Sequence, residues 1–580
     1  MSSEANPYNI VVKIAGKELS SGLITSINIS KEINRIPWAL ITIIDGDPSA
    51  QTFTESSSAN YDTGKEVEIS LGFVGKTATT VFKGIIIKHG LKIRNGQSVL
   101  TIECKDKACK MAIAKKNAFF DNKTDKDVIE TLVGNYGVTA SITGTMYKHV
   151  GLVQYNATDW DFAMTRIEKN GMIAIVDEAK LTIKEPKLES ASITIEYGKD
   201  ILEFESEIDA RSQYETVNAK SWDVKTQALI TSAAPAASFN QLSGTTSSAV
   251  GKDVAPSSVD LVTAALADKD ELTAWGKSRL AKNRLSKVRG RIKLVGRTDI
   301  ALGATIKTKG LGTKFSGDLL VSGIKHELNS SGWHTHIQFG LSPEWYSQSF
   351  EINEEEASGL LPAVHGLQIG KVTKIDADPD SKYRIQVKLP LVSDTAKIWA
   401  RMAFADAGKE RGIFFLPEVD DEVIIGFFNN DPRHPVILGM LYSNDVKPPY
   451  DIAASNDLKG IATRAKLKIN FDDKGKSIEI ITPGKNSIKL DDEGKSILLK
   501  DQHGNEIKMD QSAISITSKG DLKLSAMKKI SISSSGGDVA VEGLNVKNTA
   551  KAKFEASGNA GTDVKSSAIV TIQGSLVKIN

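Results

Sequence analysis

One histidine pair in this sequence has a spacing that could support metal binding. His334 and His336 form an H-x-H pair, and His326 lies a short distance before them. On a β-strand, side chains two residues apart face the same side, so the pair could share one metal ion. The same pattern fits an ordinary strand at a surface or an interface. We expect the second role and predict no metal site here.

A group of carboxylates, Asp376, Asp378 and Asp380, has the spacing that opens a calcium-binding loop. The glycine and the terminal bidentate glutamate of an EF-hand loop are missing, and Pro379 interrupts the run. We therefore interpret the group as a solvent-exposed hairpin turn. The Asp-Asp-x-Gly-Lys motifs that begin at positions 472 and 491 are also interpreted as turns, rather than as paired carboxylates for acid–base catalysis.

The remaining residue types offer little chemistry. Cys104 and Cys109 are the only cysteines, too few for a four-ligand zinc site or a disulfide framework, and we expect them to be reduced and unreactive. The G-x-S-x-G, Walker A, H-E-x-x-H and C-x-x-C motifs are absent from the sequence. We predict no catalytic residue, no cofactor and no metal, and hence a protein that is not an enzyme.

The overall composition of the chain narrows the possible classes of protein further. A chain of 580 residues is too long for a single core, so several domains are expected. Lys+Arg 73 against Asp+Glu 71 leaves a net charge of +2, which argues against a nucleic-acid partner. The first residues, MSSEANPYNI, lack the basic and apolar segments of a secretory signal. Every apolar run falls far short of the ~20 residues that a membrane span needs.

The N-terminal part of the chain is predicted to be rich in strands. Val67–Phe73 and Ser98–Ile102 alternate apolar and polar residues, as half-buried strands do. Two amphipathic helices are predicted at Asp125–Tyr136 and Asp159–Lys169, each preceded by a threonine that can act as N-cap. We assign residues 1–345 to one large domain.

The rest of that domain is predicted to contain a flexible insertion. Residues 231–259 are rich in Ser, Thr, Ala, Pro and Gly and carry almost no large apolar side chains, so they are expected to bury too little surface to become ordered. A helix is predicted at Asp268–Lys287, and strands are predicted from Arg291 to Leu341. The charged residues that follow belong to a linker at 346–361.

Residues 362–445 contain five short strand candidates separated by turn residues. Five strands in so short a segment, with no room for helices, predict a small closed barrel of the OB type. The candidates are Gly366–Val372, Arg384–Leu389, Lys397–Met402, Glu422–Phe428 and Val436–Met440. A second linker is placed at 446–465.

From 466 to 580 the composition changes abruptly to a repeat. The segment has no Arg, Trp, Tyr or Cys, and short apolar–x–apolar pairs recur every seven to ten residues through most of it. Repeats of this kind indicate a repetitive architecture. The pairs are Ile478/Ile480, Ile488/Leu490, Ile497/Leu499, Ile507/Met509, Ile514/Ile516, Leu522/Leu524, Ile530/Ile532, Val539/Val541, Val570/Ile572 and Val577/Ile579.

This repeat predicts an assembly of three chains. Each repeat supplies only two aliphatic side chains on a short strand, and one thin sheet would leave both of its faces wet. Three chains around a common axis could each form one wall of a triangular prism, with the aliphatic side chains inside. A single-chain β-solenoid or an adhesin stalk is the alternative architecture.

Several segments together resemble the VgrG spike family, in which the tail hub and spike of contractile phages are joined in one polypeptide. The most specific is Arg411–Ser443, RGIFFLPEVDDEVIIGFFNNDPRHPVILGMLYS, which resembles the OB signature of the family. Gly370–Pro390 is similar to the first hairpin of that barrel, and Thr158–Met172 to a helix of the hub. Gly317–His326 and the terminal Ile572–Asn580 also fit the family pattern.

The resemblance implies a mainly β protein with a hub of two β-barrels, an OB barrel at 362–445 and an intertwined trimeric β-helix at 466–580. The hub would present six related surfaces to a hexameric tube and meet the baseplate proteins. A small PAAR-repeat protein would cap the far end, and effector cargo could be carried. The predicted docking residues for that tip protein are Gly574, Ser575, Leu576, Val577, Lys578, Ile579 and Asn580.

The function implied is that of a structural spike that links the tube and baseplate to a membrane-puncturing tip. Such a protein is assembled in the bacterial cytoplasm without a signal peptide and expelled with the injection particle. Neither the segment between barrel and repeat nor the end of the sequence leaves room for the lysozyme or toxin domains that some relatives carry. A trimeric enzyme that degrades cell wall or polysaccharide, and a receptor-binding adhesin, are the alternatives. The type of machine (type VI secretion system, extracellular particle or phage tail) is left open.

Overall fold

The computed structural model describes residues 7–144, 147–235, 239, 241–242 and 246–579. The chain divides into two compact units, one formed by residues up to 368 together with 425–437, and the other by residues 369–424 and those from 438 onward. The boundaries proposed above between hub, barrel and tail remain predictions.

The first unit begins with seven strands, and in most of them alternate side chains are buried. Val67, Ile69 and Leu71, on the predicted strand Val67–Phe73, are at most 2% exposed. This alternation places one face of each strand in a hydrophobic core. The strands are β1 (Tyr8–Ile14), β2 (Lys17–Glu18), β3 (Ile24–Glu32), β4 (Trp38–Ile44), β5 (Glu66–Phe73), β6 (Thr79–Arg94) and β7 (Gln97–Lys105).

The next segment packs two helices against short sheets. Both predicted helices are confirmed, and both begin at the predicted caps. Thr124 forms a capping box with Asp127, and the Thr158 hydroxyl accepts a hydrogen bond from the Asp161 amide at 3.0 Å. The elements are β8 (Lys115–Thr124), α1 (Asp125–Gly134), β9 (Thr139–Ile142), β10 (Lys148–Thr158), α2 (Asp159–Lys169), β11 (Ile173–Asp177) and β12 (Lys180–Lys184).

A buried ionic network joins these two helices. Asp125, which is fully buried, accepts hydrogen bonds from Arg166 at 2.7 and 3.2 Å and from the Asn170 side chain at 2.8 Å. Burial alone would raise the pKa of Asp125, but the Arg166 and Asn170 bonds outweigh it and the pKa is lowered. The carboxylate therefore stays ionised and fixes the start of α1 against α2.

The remaining elements of this unit follow in a fixed order. They are β13 (Ile193–Glu196), β14 (Ile201–Ile208), β15 (Thr216–Asp223), β16 (Ala228–Ala233), α3 (Ser247–Gly251), β17 (Ser258–Val262), α4 (Lys269–Leu285), β18 (Val288–Val295), β19 (Thr305–Lys309), α5 (Gly312–Phe315), β20 (Gly317–Asn329), β21 (Gly332–Phe339) and α6 (Tyr346–Ser349). Residues of the predicted first linker are packed: Tyr346 is buried, and Phe350 and Ile352 contact the core around α1 and α2.

One 13-stranded sheet unites both ends of this unit. Its order is β14-β18-β21-β20-β3-β4-β7-β6-β5-β1-β2, with β13 and β19 joined at β20. One hydrophobic cluster lies mainly between β1 and β7, and another mainly between β18 and β21. The pairing of β3 with β20 connects the two. The interpretation of these two clusters as similar barrels stays a prediction.

The expectation of a flexible insertion at 231–259 is wrong for several of its described residues. Residues 231–233 complete β16, residues 247–251 form α3, and residues 258–259 begin β17. These residues are ordered by backbone pairing with β15 and by close contacts of their small side chains. Ser232 is buried and lies 2.6 Å from the Thr273 hydroxyl, and a Cβ on Gly251 would lie 2.4 Å from the Gln213 carbonyl oxygen. Residues 236–238, 240 and 243–245 lie outside the described residues.

The predicted five-stranded barrel is confirmed. Its strands close in the order β22-β23-β24-β28-β27, and Val372, Val423 and Ile437 are fully buried among them. A short hairpin of β25 (Ala407–Gly408) and β26 (Arg411–Gly412) is added. The barrel strands are β22 (Gln368–Lys374), β23 (Ile385–Lys388), β24 (Lys397–Met402), β27 (Glu422–Phe427) and β28 (Pro435–Met440).

The tail begins with a seven-stranded antiparallel sheet. Its strands are β29 (Leu458–Ala462), β30 (Lys468–Asp472), β31 (Ser477–Ile481), β32 (Ser487–Asp491), β33 (Ser496–Lys500), β34 (Glu506–Met509) and β35 (Ile514–Thr517). The first five apolar pairs of the repeat lie on β31–β35. From 518 to 579, no described residue belongs to a helix or a strand.

Candidate assembly face of the tail

The tail sheet carries two columns of apolar side chains on one face. Within each column, every side chain is the direct cross-strand partner of the next one in the column. On most strands one residue of each column is present, and the two are two positions apart, so both columns lie on the same face of the sheet. The first column is Ile461, Ile469, Ile480, Ile488, Leu499, Ile507 and Ile516, and the second is Phe471, Ile478, Leu490, Ile497, Met509 and Ile514.

This apolar face is not covered by any residue that the structure describes. Ile480 and Leu499 are each 47% exposed, and Ile514 is 72% exposed. A trough of about 600 Å³ is lined by Ile480, Leu499 and their neighbours. Soluble proteins rarely leave a continuous apolar surface of this kind open to water. The face is therefore a candidate assembly surface.

The opposite face of the sheet is polar. Its central column pairs Glu479 with Lys489, and Leu498 lies between Lys489 and Lys508. Lys489 also forms an ion pair with Asp491 at 2.7 Å. One face is thus suited to water and the other to a hydrophobic partner, because side chains alternate along each strand.

The Asp-Asp-x-Gly-Lys motifs are turns between these strands, as predicted. Asp472 accepts a hydrogen bond from the Gly475 amide at 2.9 Å, and Asp491 accepts one from the Gly494 amide at 2.7 Å. These carboxylates hold the backbone in tight turns, with a left-handed residue at Lys476 and Lys495. They set the strand length and hence the register of the apolar columns.

The distal tail has a regular period, and no strand pairing is found for it within the described part of the chain. Bends occur at 519, 527, 535, 544, 551, 559, 567 and 575, in steps of 8, 8, 9, 7, 8, 8 and 8 residues. The predicted tip residues belong to this segment. Leu576, Val577 and Ile579 are exposed, with Ile579 at 87%, and a bend includes Ser575. Asn580 lies outside the described residues, and the docking role of Gly574–Ile579 stays a prediction.

Part of the apolar face was missed by the sequence interpretation. Ile461, Ile469 and Phe471 extend the two columns by two strands, although Ile461 precedes the predicted start of the repeat at 466. The signal was present, because Ile469 and Phe471 form an apolar–x–apolar pair nine residues before the first pair that was recognised.

The three histidines lie on the neighbouring strands β20 and β21. His326 is buried and its Nδ1 lies 3.1 Å from the Thr335 hydroxyl, while the Nε2 of His336 lies 3.3 Å from a Glu327 oxygen. Among the residues that the structure describes, no group of three His, Cys, Asp or Glu side chains could hold a metal ion. Burial, aided by the positive charges of Lys31 and His336, lowers the pKa of His326 to about 4.

This buried histidine predicts an acid-sensitive hub. Because the folded pKa lies near 4 and the ordinary value is 6.5, the unfolded chain binds the proton more readily, and stability falls as the pH decreases through this window. The expected decrease in the free energy of unfolding is about 3 kcal/mol. Urea unfolding at a series of pH values between 7 and 4 measures this decrease. His326→Gln should make the free energy of unfolding less dependent on pH, whereas His365→Gln, at an exposed histidine, should not. An unchanged slope in His326→Gln would contradict the assignment.

The other chemical candidates are also structural. Asp378 accepts hydrogen bonds from the backbone amides of Asp380, Lys382 and Arg384 and from the Arg384 guanidinium, which holds its pKa well below the usual range. This is the predicted turn. Cys104 is buried, and burial raises the pKa of its thiol to about 12, which disfavours the reactive thiolate form.

Comparison with known proteins agrees with this architecture. The β-rich first unit, the five-stranded barrel and the repetitive tail sheet define a VgrG-like spike protein. The family model of the type VI secretion system/phage-baseplate injector OB domain matches residues 368–442. The Alg8 N-terminal domain model matches residues 4–330, more than half of the chain. The chain belongs to the Alg8 N-terminal domain family.

Individual relatives are more distant. The type VI secretion system spike protein VgrG1a of Pseudomonas aeruginosa is 27% identical over 148 residues, which are 24% of this chain and 23% of that protein. The structural match to a prophage MuSo2 tail protein of Shewanella oneidensis covers 58% of this chain and 98% of the tail protein, with 13% sequence identity and a TM-score of 0.45. The structural match to the Escherichia coli c3393 protein, a component of the type VI secretion system, covers 74% of this chain and 99% of the c3393 protein. The sequence identity is 12% and the TM-score is 0.38.

Hydropathy adds one further observation. No helix in the described part of the chain has the length and apolar character required to cross a bilayer.

Proposed function

We propose that this chain is the structural spike of a contractile injection system and that it acts through rigidity rather than catalysis. The observation that carries this proposal is the uncovered apolar face of the tail sheet. The match of residues 368–442 to the type VI secretion system/phage-baseplate injector OB domain supports it. The tail would transmit the thrust of a contracting sheath to a membrane-puncturing tip.

Three copies of the chain would cover the apolar face. Each sheet would form one wall of a prism whose interior holds the two columns of every copy. Covering a half-exposed aliphatic side chain contributes about 1 kcal/mol, and each sheet supplies 13 apolar side chains. An obligate homotrimer is the expected result, since such interfaces resemble a divided core.

The distal tail supports the same assembly. Residues 518–579 bend about every eight residues but have no strand partner among the residues that the structure describes. Their backbone groups would be satisfied by strands of the other two copies, giving an intertwined β-helix. Every hydrogen bond along the needle would then contribute to its stiffness.

The partners follow from this proposal. The hub, residues 1–345, would bind a hexameric tube and the baseplate proteins, with two related subdomains per copy matching the sixfold ring. Gly574–Asn580 would dock a PAAR-repeat tip protein, and effector cargo would travel with the spike. The protein would assemble in the bacterial cytoplasm and leave the cell in the expelled particle.

A direct assay tests the absence of enzymatic activity in this proposal. The purified trimer is incubated with peptidoglycan sacculi and with acidic and neutral polysaccharides. We expect no release of soluble fragments above a boiled control. Release that depends on the folded protein would favour the alternative of a degrading tail enzyme. Binding of the trimer to whole cells or glycans, without release, would favour an adhesin.

A further inference from the structure

The lysines of the distal tail are concentrated in two short bands. Residues 519–529 contain four lysines and one carboxylate, and residues 547–553 contain three lysines and no carboxylate, so each band has a net charge of +3. The two carboxylates at 530–546 and the balanced charges of 554–579 leave the distal tail with a net charge of +4. We call residues 519–529 and 547–553 the lysine bands.

This excess of positive charge is confined to the distal tail. Residues 466–518, the first part of the repeat, contain nine lysines and nine carboxylates and carry no net charge from them. The whole chain has a net charge of only +2, so the rest of the molecule does not share the excess. In the proposed homotrimer each band would place a charge of +9 around the needle. A local density of like charge attracts a surface of the opposite sign.

The carboxylates near the lysine bands do not neutralise them. Lys523 pairs with Asp521 at 3.6 Å, and Lys553 pairs with Glu555 at 2.5 Å. All four side chains are at least 67% exposed. Ion pairs that are so open to water contribute little to stability and separate easily. The net charge of each band therefore remains available to a partner.

The lysines occupy positions that would face outward in the proposed β-helix. Lys523 lies between Leu522 and Leu524, and Lys529 directly precedes Ile530. Because side chains alternate along an extended strand, aliphatic side chains that face the axis place these lysines on the outer surface. Every lysine of the two bands is exposed in the described chain.

The composition of the distal tail favours lipid headgroups over nucleic acid. From 519 to 579 the sequence has no Arg, Trp, Tyr or His, and Phe554 is its single aromatic residue. Proteins that bind single-stranded nucleic acid stack the bases on aromatic side chains, and arginine is the preferred side chain for bidentate phosphate recognition. Lysine is a flexible point charge, and clusters of lysine are attracted to the mobile phosphates of an anionic bilayer.

We propose that the lysine bands bind the anionic phospholipid headgroups of a target membrane when the needle reaches it. The inference rests on the proposed function, because that function brings the distal tail to a membrane. The bands would hold the needle at the headgroup layer through phosphate contacts, separately from the apolar residues at Gly574–Ile579. Binding would therefore require a negatively charged bilayer and would weaken as salt screens the charges.

The test uses the full-length protein and vesicles of two compositions, phosphatidylcholine alone and phosphatidylcholine with one-third phosphatidylglycerol. In flotation assays we expect at least tenfold tighter binding to the anionic vesicles. Raising the salt from about 50 to about 300 mM should weaken this binding at least tenfold. Equal binding to both vesicles, or binding that salt does not weaken, would overturn the proposal. Equally tight binding to duplex DNA at the same phosphate concentration would also overturn it, because the surface would then not select lipid.

Two matched variants locate the lipid contact. The band variant combines Lys528→Gln, Lys529→Gln, Lys551→Gln and Lys553→Gln. The control variant makes the same change at four exposed lysines in turns of the tail sheet, namely Lys474→Gln, Lys476→Gln, Lys485→Gln and Lys495→Gln. Both remove the same total charge, but only the band variant lowers the net charge of the distal tail to zero. It should lose at least tenfold in affinity for anionic vesicles, whereas the control should stay within threefold of the wild-type protein. Equal losses in both variants would contradict the assignment to the bands.

Light scattering separates failure of this inference from failure of the proposed function. A trimer that binds neither kind of vesicle refutes the lipid contact and leaves the trimeric spike intact. A monomeric protein that binds anionic vesicles refutes the proposed trimer but keeps the lipid contact. If the band variant does not assemble, the vesicle selectivity and salt dependence of the wild-type protein still decide the question.

Discussion

Replacing Leu499 by aspartate is expected to convert the proposed homotrimer to monomers. Leu499 lies in the middle of the first apolar column, between Ile488 and Ile507. In the proposed prism the variant would bring three carboxylates together in an apolar interior, which costs several kcal/mol for each charge. Light scattering should change from three times the chain mass of 62.6 kDa to that mass itself.

The adjacent residue provides a matched control. Leu498 lies on the opposite face, with Lys489 and Lys508 as its cross-strand neighbours. Leu498→Asp makes the same chemical change one residue away, but its carboxylate would face water and two lysines. The control should remain trimeric. A trimeric Leu499→Asp protein, or a wild-type protein that is monomeric at micromolar concentration, would refute the proposed interior.

Removal of Ser575–Asn580 is expected to abolish capture of the PAAR-repeat tip protein while leaving the trimer intact. The described end of the tail exposes Leu576, Val577 and Ile579, and these would be the apolar contacts of the docking face. The tail sheet and most of the distal repeat remain, so the loss should be confined to the tip. Co-purification and titration with the tip protein should show at least a hundredfold loss of affinity.

Two smaller changes sharpen this test. Leu576→Ser with Val577→Ser and Ile579→Ser should reproduce most of the loss, because it removes the apolar contacts and keeps the chain length. Ser575→Ala with Lys578→Ala keeps those aliphatic side chains and should bind nearly as well as the wild-type protein. Undiminished capture by the truncated trimer would place the docking face elsewhere.

Local signals in the sequence were sufficient for many elements. Thr124 and Thr158 mark the starts of α1 and α2, because a hydroxyl before an amphipathic stretch satisfies the free amides of the first turn. The five barrel strands were predicted within two residues of their observed bounds, since turn residues separate them clearly. The turns at Asp472 and Asp491 were predicted from short motifs for the same reason.

Other features depend on contacts between residues that are distant in the sequence. His326 and Ile29 are neighbours on paired strands, and this pairing of β20 with β3 joins the two ends of the first unit. The residues at 231–233 and 247–251 are ordered by contacts with β15, α4 and Gln213, although their own side chains are small. No local pattern encodes these pairings, because hydrogen bonding between strands is insensitive to side-chain identity.

The sequence alone determined that the tail repeats an apolar pair and that its turns are tight. These properties follow from side-chain alternation and from the spacing of aspartate and glycine. Only the tertiary structure decided that Ile461 and Ile469 continue the first column and that Leu498 and Leu499 face opposite sides. The physical reason is register: a shift of one residue would exchange the two faces, and register is set by which strands pair.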